Sequence, residues 1–401
     1  MNDTYETQPE IVVETVLQGR QHNQCWFSPG MTVVPARKPD ALPEVFIGAQ
    51  QLAGNDMGTP HWIRTSDLGA TWSPPMESQN LLGVPHDDHW FEKPHINLSY
   101  HRRGGRLLGL GSTHFSRDEG THTSFKMEKI DFGECPFANR MIMTEWDFKR
   151  GDFVPWWTVS LPEELRRWHR VAWPRAQFEF PDGSVLVPFY GRETADSPFT
   201  AVAVMHADIT NAGFACRGIG NLLRVDTDRG LAEPSVVHFG ERFLLTIRHD
   251  RRAYVAVSAD GLHYGEPIPW RFDTGEELGN FNTQQHWLAR RDALYLVYNR
   301  RGELNNGVFR CRAPLYMARV DPGTLTAIRD SEQIVFPEKG ARMGNFDVAN
   351  VTDDEAWVVT GEWLEGKVEG MREGERFHVP GGSEINRIQY LGDLLLARIR
   401  F

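Results

Sequence analysis

Thr65-Ser66-Asp67-Leu68-Gly69-Ala70-Thr71-Trp72 is the stretch on which the reading of this fold depends. A short acid, a glycine and a large aromatic at these spacings describe a tight turn between two strands. Asp67 can accept hydrogen bonds from the turn amides, Gly69 can take a positive φ, and Trp72 supplies a plug beneath the loop. A degenerate copy stands at Ser258-Ala259-Asp260-Gly261-Leu262-His263-Tyr264.

Outward from these turns, helical periodicity is scarce. The best helical stretch, Pro162-Glu163-Glu164-Leu165-Arg166-Arg167-Trp168, predicts one or two turns starting at a proline. What recurs is a pair of apolar, often alternating runs broken by a turn containing Gly or Asp, the signature of a hairpin. One pair runs from Ala176–Phe180 through Pro181-Asp182-Gly183 to Ser184–Tyr190; another runs from Pro234–Phe239 through Gly240-Glu241 to Phe243–Arg248. First strands of such hairpins open near Met31, His95, Gln177, Pro234, His286 and Phe346, every ~55 residues. Each is followed by a second pair of strands, for example Tyr254–Ser258 or Leu315–Val320.

Six units of four strands predict an all-β fold, a six-bladed β-propeller of four-stranded antiparallel blades occupying residues 1–401 as one domain. The strand Ile11–Val16 is expected to join the last blade beside Leu394–Ile399, closing the ring and removing an edge. A two-sheet sandwich with a second domain is the alternative; no linker-like segment divides the chain.

Composition agrees with short strands and tight turns: among 401 residues are 13 Trp, 23 Phe, 37 Gly and 24 Pro. A net charge of −11 argues against nucleic acid as a partner, because phosphate contacts need a concentrated basic stripe. Cys25, Cys135, Cys216 and Cys311 are widely spaced without a CxxC pair, so no zinc site is expected. His86-Asp87-Asp88-His89 crowds four possible ligands into one loop, but the spacing matches no tight metal motif. No phosphate- or dinucleotide-binding fingerprint accompanies a βαβ pattern, so no cofactor is expected. No apolar run reaches membrane-spanning length. The start, Met1-Asn2-Asp3-Thr4-Tyr5-Glu6, lacks a signal-peptide pattern, giving a cytoplasmic expectation, or secretion if a leader was removed.

The Thr65–Trp72 octapeptide resembles the Asp box, [ST]-x-D-x-G-x-T-W, found between the third and fourth strands of blades in sialidases and related propellers. That resemblance implies a sialidase-like propeller with these turns on the face away from the site. Glu233-Pro234-Ser235-Val236-Val237, with Arg248 fifteen residues after Glu233, is similar to the sialidase segment carrying a catalytic-site glutamate and a carboxylate-binding arginine. Two departures stand beside it. The first blade reads Cys25-Trp26-Phe27-Ser28-Pro29-Gly30 where sialidases carry an arginine, and the last reads Gly344-Asn345-Phe346-Asp347 with no tyrosine nucleophile. The expectation is therefore a sialidase-like build with a substrate other than sialic acid.

In a propeller the start of each first strand and the end of each second strand ring one mouth of the channel. Those positions give Ser28 and Gln50 or Gln51; His95 and His114; Arg175, Gln177, Tyr190 and Arg192; Glu233, Arg248, His249 and Asp250; Gln284, Gln285, His286, Tyr298, Arg300 and Arg301; Asn345 and Glu362. The set is far more polar than the strands between, as a ligand site should be. Glu233, His95, His114 and Tyr190 are the candidate catalytic residues; Arg248, Arg192, Gln177, Gln285, His286 and Arg300 are the candidate substrate contacts. Arg310 and Arg312 alternate and share a face, either extending the site or knitting its loop. Trp62, Trp90 and Trp363 could stack on sugars or pack between blades.

Two chemistries fit. An exo-acting glycoside hydrolase on an acidic sugar would bind a carboxylate with Arg248 and Arg300 or Arg192. It would use Glu233 as acid/base, with Asp56 or Glu362 as second carboxylate. A polysaccharide lyase would neutralise a uronate with Arg and remove its C5 proton with His or Tyr; His95, His114, Tyr190 and Arg192 resemble the arrangement in propeller-type ulvan lyases. A glycan-binding propeller without turnover is a third reading. The expected partner throughout is a carbohydrate carrying a carboxylate, with neither nucleic acid nor membrane.

Overall fold

The computed structural model describes residues 8–36, 38, 41–52, 58–86, 90–117, 139–173, 177–302, 305, 308–367, 377–378, 384–385 and 388–401. Six antiparallel sheets form a ring of six blades. Blade I is Trp26–Val34, Glu44–Gln51, Thr59–Thr65 and Met76–Glu77. Blade II is built on Trp90–His101, Arg106–Arg117 and Met141–Asp147, blade III on Val185–Arg192, Ala201–Thr210 and Gly213–Ile219. Blade IV is Ala232–Phe239, Arg242–Arg248, Tyr254–Ser258 and Ile268–Pro269; blade V centres on His286–Ala289, Leu294–Tyr298 and Leu315–Asp321. In blade VI, Phe346–Asn350, Glu355–Gly361 and Leu394–Arg400 are completed by Glu10–Leu17, whose Val13 faces Ala397. The inner strand of blade III differs from the continuous run read in the sequence. Two short pieces, Arg170–Ala172 and Phe178–Glu179, pair separately with Val185–Arg192. The helix over Glu163–Arg166 starts after Pro162.

The apolar runs are explained by what lies on each side of a blade. Successive side chains of a strand point to opposite faces, and in a propeller both faces meet a neighbouring blade. Leu244 packs toward blade V while Leu245 packs toward blade III; Val358 faces blade V and Val359 faces blade I. Six apolar clusters accordingly fill the six blade boundaries. Each fully buried Leu or Val there contributes about 1.5–3 kcal/mol.

Around the channel the inner strands are linked in sequence. Thr32 Oγ1 accepts from Tyr100 N at 3.0 Å, and Asp347 Oδ2 accepts from Met31 N at 2.8 Å. Gln284 Nε2 donates to Phe346 O at 3.2 Å and Trp287 Nε1 to Ser235 O at 2.9 Å. Phe178 meets Phe243 edge-on at 5.3 Å, and Glu179 accepts from Arg102 N and Arg103 N, both at 2.8 Å.

The Thr65–Trp72 turn lies at the end of the blade away from Gln51, since Thr65 pairs with Val45 beside the Val34–Glu44 hairpin. Asp67 Oδ1 accepts from Thr65 Oγ1 at 2.7 Å and Thr71 N at 2.9 Å, and Asp67 Oδ2 from Thr71 Oγ1 at 2.6 Å. The Thr71 and Thr65 hydrogen bonds hold the Asp67 carboxyl down at about 2. Leu68 O accepts from Arg398 Nη2 at 2.6 Å, and Trp72 packs on Trp357, so the turn ties blade I to blade VI. Asp260 repeats the arrangement, accepting from Ser258 Oγ at 2.8 Å and from Leu262 N and His263 N at 2.9 and 2.8 Å.

Candidate functional site

The opposite mouth gathers backbone irregularities. In blade IV the ladder shifts between Ala232 and Ser235, and Glu233 sits in that bulge at φ 43°. In blade I it shifts between Phe27 and Gly30, with Ser28 at φ 51°. Bulges re-aim side chains. Among the described residues nine non-glycine positions have positive φ, and Ser28, Asp228, Glu233, Asn282, Arg310 and Cys311 all belong to strand starts or connections at this mouth. Such conformations persist only where the surroundings enforce them, and they cluster at functional sites.

The re-aimed Glu233 receives Arg248 from the end of the paired strand: Arg248 Nη1 donates to Glu233 Oε2 at 2.5 Å. Arg248 Nη2 donates to Asn282 Oδ1 at 2.6 Å, and Arg229 Nη2 donates to the same oxygen at 3.0 Å. Arg312 Nη2 donates to the Asn282 carbonyl oxygen at 3.1 Å. One residue between blades IV and V therefore gathers three guanidinium groups. Arg229 is also held by both carboxylate oxygens of Asp250, at 2.7 and 2.5 Å. Toward the rim the Arg310 and Arg342 guanidinium carbons lie 4.9 and 4.7 Å from the centre of the Phe309 ring, and Arg342 lies 3.6 Å over Trp363.

Electrostatics separate these arginines. Burial, then Arg248 and Arg310, push Arg312 down to about 9. Its Nε is buried with no hydrogen-bond partner among the described residues. Burial and then Arg248 and Arg229 also lower Arg310. The hydrogen bond to Asp250 raises Arg229. Burial works to raise Asp250, but the Arg229 bond and charge outweigh it and keep the carboxyl low. For Arg310 and Arg312 alike burial is the first cause, and the neighbouring guanidinium charges add to it.

The other sequence candidates fall in several places. Tyr190 lies within electrostatic reach of Arg229. Arg192 ends its strand opposite Arg170 and forms no ion pair among the described residues. His95 and His114 face each other in blade II with ring centroids 5.6 Å apart. Gln177 Oε1 accepts from Ser99 Oγ at 3.5 Å between blades II and III. Gln285 Oε1 accepts from Thr246 Oγ1 at 3.3 Å, and His286 is buried edge-on against Phe346 at 5.0 Å. Arg300 is directed away from the Asn282 hub: its Nε and Nη2 donate to Glu332 at 2.7 and 2.6 Å, where Tyr298 Oη also donates at 2.6 Å. Arg301 lies over Phe281 at 3.8 Å.

Glu362, a proposed second carboxylate, accepts from Arg20 Nη2 at 2.7 Å; burial raises its carboxyl. Gln50 Oε1 accepts from Gly58 N at 2.9 Å, and Asn345 Nδ2 donates to Ser28 Oγ at 3.4 Å. Trp62 packs in the boundary between blades I and II. Arg175, Asp56 and Asp87–His89 lie outside the described residues, as does the Trp90 side chain. Among the described residues no group of three His, Cys, Asp or Glu could hold a metal ion, and no helix is long and apolar enough to cross a membrane.

Arg229, Asn282 and Arg342 escaped the sequence reading because it took only strand ends. The connections from one blade to the next end at the same mouth. The charged turn Asp226-Thr227-Asp228-Arg229-Gly230 and the run Asn280-Phe281-Asn282 carry the signal there.

No protein-family model and no curated protein sequence matches the chain. Solved structures match it in fold. A protein of unknown function from Dyadobacter fermentans aligns over 97% of this chain and 99% of its own, at 13% identity and a TM-score of 0.58. A Trypanosoma rangeli sialidase aligns over 97% of this chain at 11% identity and a TM-score of 0.55. This chain spans 59% of that enzyme's length. A Hadza microbial sialidase covers 88% of this chain and 66% of its own, at 10% identity and a TM-score of 0.58. The fold is thus a sialidase-like six-bladed β-propeller.

Proposed function

We propose that this protein is a carbohydrate-active enzyme, an exo-acting glycoside hydrolase that removes an acidic sugar. The observation that carries the reading is Glu233, held in a bulge and bonded to Arg248 beside the buried guanidinium of Arg312. Arg312 and Arg248 supply paired donors for a sugar carboxylate, and Glu233 is the carboxylate placed to move a proton at the glycosidic bond. Support comes from the fold, shared with sialidases of which one was solved with sialic acid. The first-blade stretch in which sialidases carry an arginine reads Cys25-Trp26-Phe27-Ser28-Pro29-Gly30 here, without one, which favours a different acidic sugar.

A lyase is the second reading, favoured by the facing His95–His114 pair. Incubation with chromogenic uronides and sialosides, and with acidic oligosaccharides, separates the two. Hydrolysis releases the chromophore without a new ultraviolet absorber, whereas a lyase produces an unsaturated uronate. Glu233→Gln should lower the hydrolytic rate about 100-fold or more. Full activity in that variant, or the appearance of unsaturated product, overturns the hydrolase reading.

A further inference from the structure

The four arginines whose ion pairing is established divide evenly. Arg248 is paired with Glu233, and Arg229 with Asp250. Arg310 and Arg312 form no ion pair among the described residues, although both lie on the same short segment at the same mouth. They stand at two depths. Arg312 is 7% exposed, reaching Asn282 at the floor. Arg310 lies two residues toward the rim, over a Phe309 ring that is 53% exposed and that also receives Arg342. The segment accepts left-handed conformations at both Arg310 and Cys311, φ 54° and 51°. The fold enforces this strained backbone, and it holds two like charges close together at the mouth.

From this arrangement we infer that the site takes a sugar bearing two anionic groups, a carboxylate at Arg312 and Arg248 and a second oxyanion ester at Arg310. The inference rests on the acidic-sugar reading and extends it from one charge to two. Two guanidinium groups at different depths, with no ion pair among the described residues, match two anions on one pyranose better than one carboxylate. Both guanidinium groups are lowered first by burial and then by neighbouring arginines, so an incoming anion would meet two positive charges held partly out of water. A sulfate or a phosphate ester would satisfy the same donors, since Arg binds either with its planar fork.

The test is calorimetric titration of the full chain with four probes: glucose, glucuronate, a glucuronate sulfate ester and a glucuronate phosphate ester. The expected order is no measurable binding of glucose, weak binding of glucuronate, and at least about tenfold tighter binding of one ester. The better ester identifies the second anion. Arg310→Gln should collapse the ester-to-glucuronate ratio to about 1, and a melting curve checks that the variant is folded. Equal affinity for glucuronate and both esters, or a ratio that survives Arg310→Gln, overturns the two-anion inference and leaves the acidic-sugar reading standing. Failure of every acidic probe to bind overturns both.

Discussion

Arg248 and Glu233 meet at 2.5 Å across a bulged pair of strands. The register that pairs Ser235 with Thr246 would carry on to Glu233 opposite Arg248; the shift instead places Ala232 opposite Arg248 and leaves Glu233 in the bulge at φ 43°, its carboxylate still bonded to the arginine. Arg248 then spends its second amino group on Asn282. A planar fork that satisfies two acceptors is a property of arginine and not of lysine. Arg248→Lys should therefore fold but lose about 10- to 100-fold in kcat/KM on an acidic glycoside, a loss of about 1.4–2.7 kcal/mol. Unchanged kinetics would mean that Arg248 only braces the bulge.

Asn282 allows strain and function to be separated. Its φ of 46° suits glycine, and its Oδ1 gathers Arg248 and Arg229. Asn282→Gly and Asn282→Ala both remove that acceptor, but only alanine keeps a Cβ in the left-handed region, at a cost of about 1–2 kcal/mol. Both variants should bind acidic sugars equally poorly, while the glycine variant melts at the higher temperature. Ligand titration beside thermal melts reads the two effects independently. If the glycine variant binds as wild type, the hub has no role in the site.

The fold was legible because a propeller makes periodic demands on its sequence. Each blade is buried on both faces, so Leu244-Leu245 and Val358-Val359 must both be apolar, and the hairpin runs stand out. The turn at Asp67 needs fixed residue types at fixed spacing, and those were readable one by one. The site was only partly legible. Glu233 and Arg248 lie on paired strands, where sequence distance reports proximity. Asn282, Arg229 and Arg342 sit on connections whose approach to the mouth depends on how the blades close. Arg300 shows the converse. It stands at a strand end as a site residue should, yet a glutamate 32 residues later takes its guanidinium.

That glutamate gives the third prediction. Glu332 receives Arg300 through two hydrogen bonds and Tyr298 through one, and all three side chains are largely buried. Removing one partner of a buried pair leaves an uncompensated charge, whereas replacing both with apolar groups is far milder. Glu332→Ala should destabilise by about 3–5 kcal/mol. Arg300→Met combined with Glu332→Leu should recover most of that loss. Urea unfolding of the single and double variants measures both. A double variant as unstable as Glu332→Ala would show that Tyr298, not Arg300, carries the network.

The Asp67 turn makes a prediction about acid. Its carboxyl is held at about 2 by hydrogen bonds from Thr71 and Thr65, below the ordinary aspartate value of about 3.9. A carboxylate whose pKa is lower in the folded state stabilises fully above the unfolded value, and the contribution fades as pH falls through the folded one. Asp67→Asn has nearly the same shape and cannot ionise. Wild type should therefore melt above the Asn variant at pH 6, with the gap narrowing between about pH 4 and pH 2. Many carboxylates titrate in that range, so the difference between the two proteins is the informative quantity. A gap that stays constant from pH 6 to pH 2 would assign the turn's stability to shape alone. A gap that closes would place it in the charge that Thr65 and Thr71 surround.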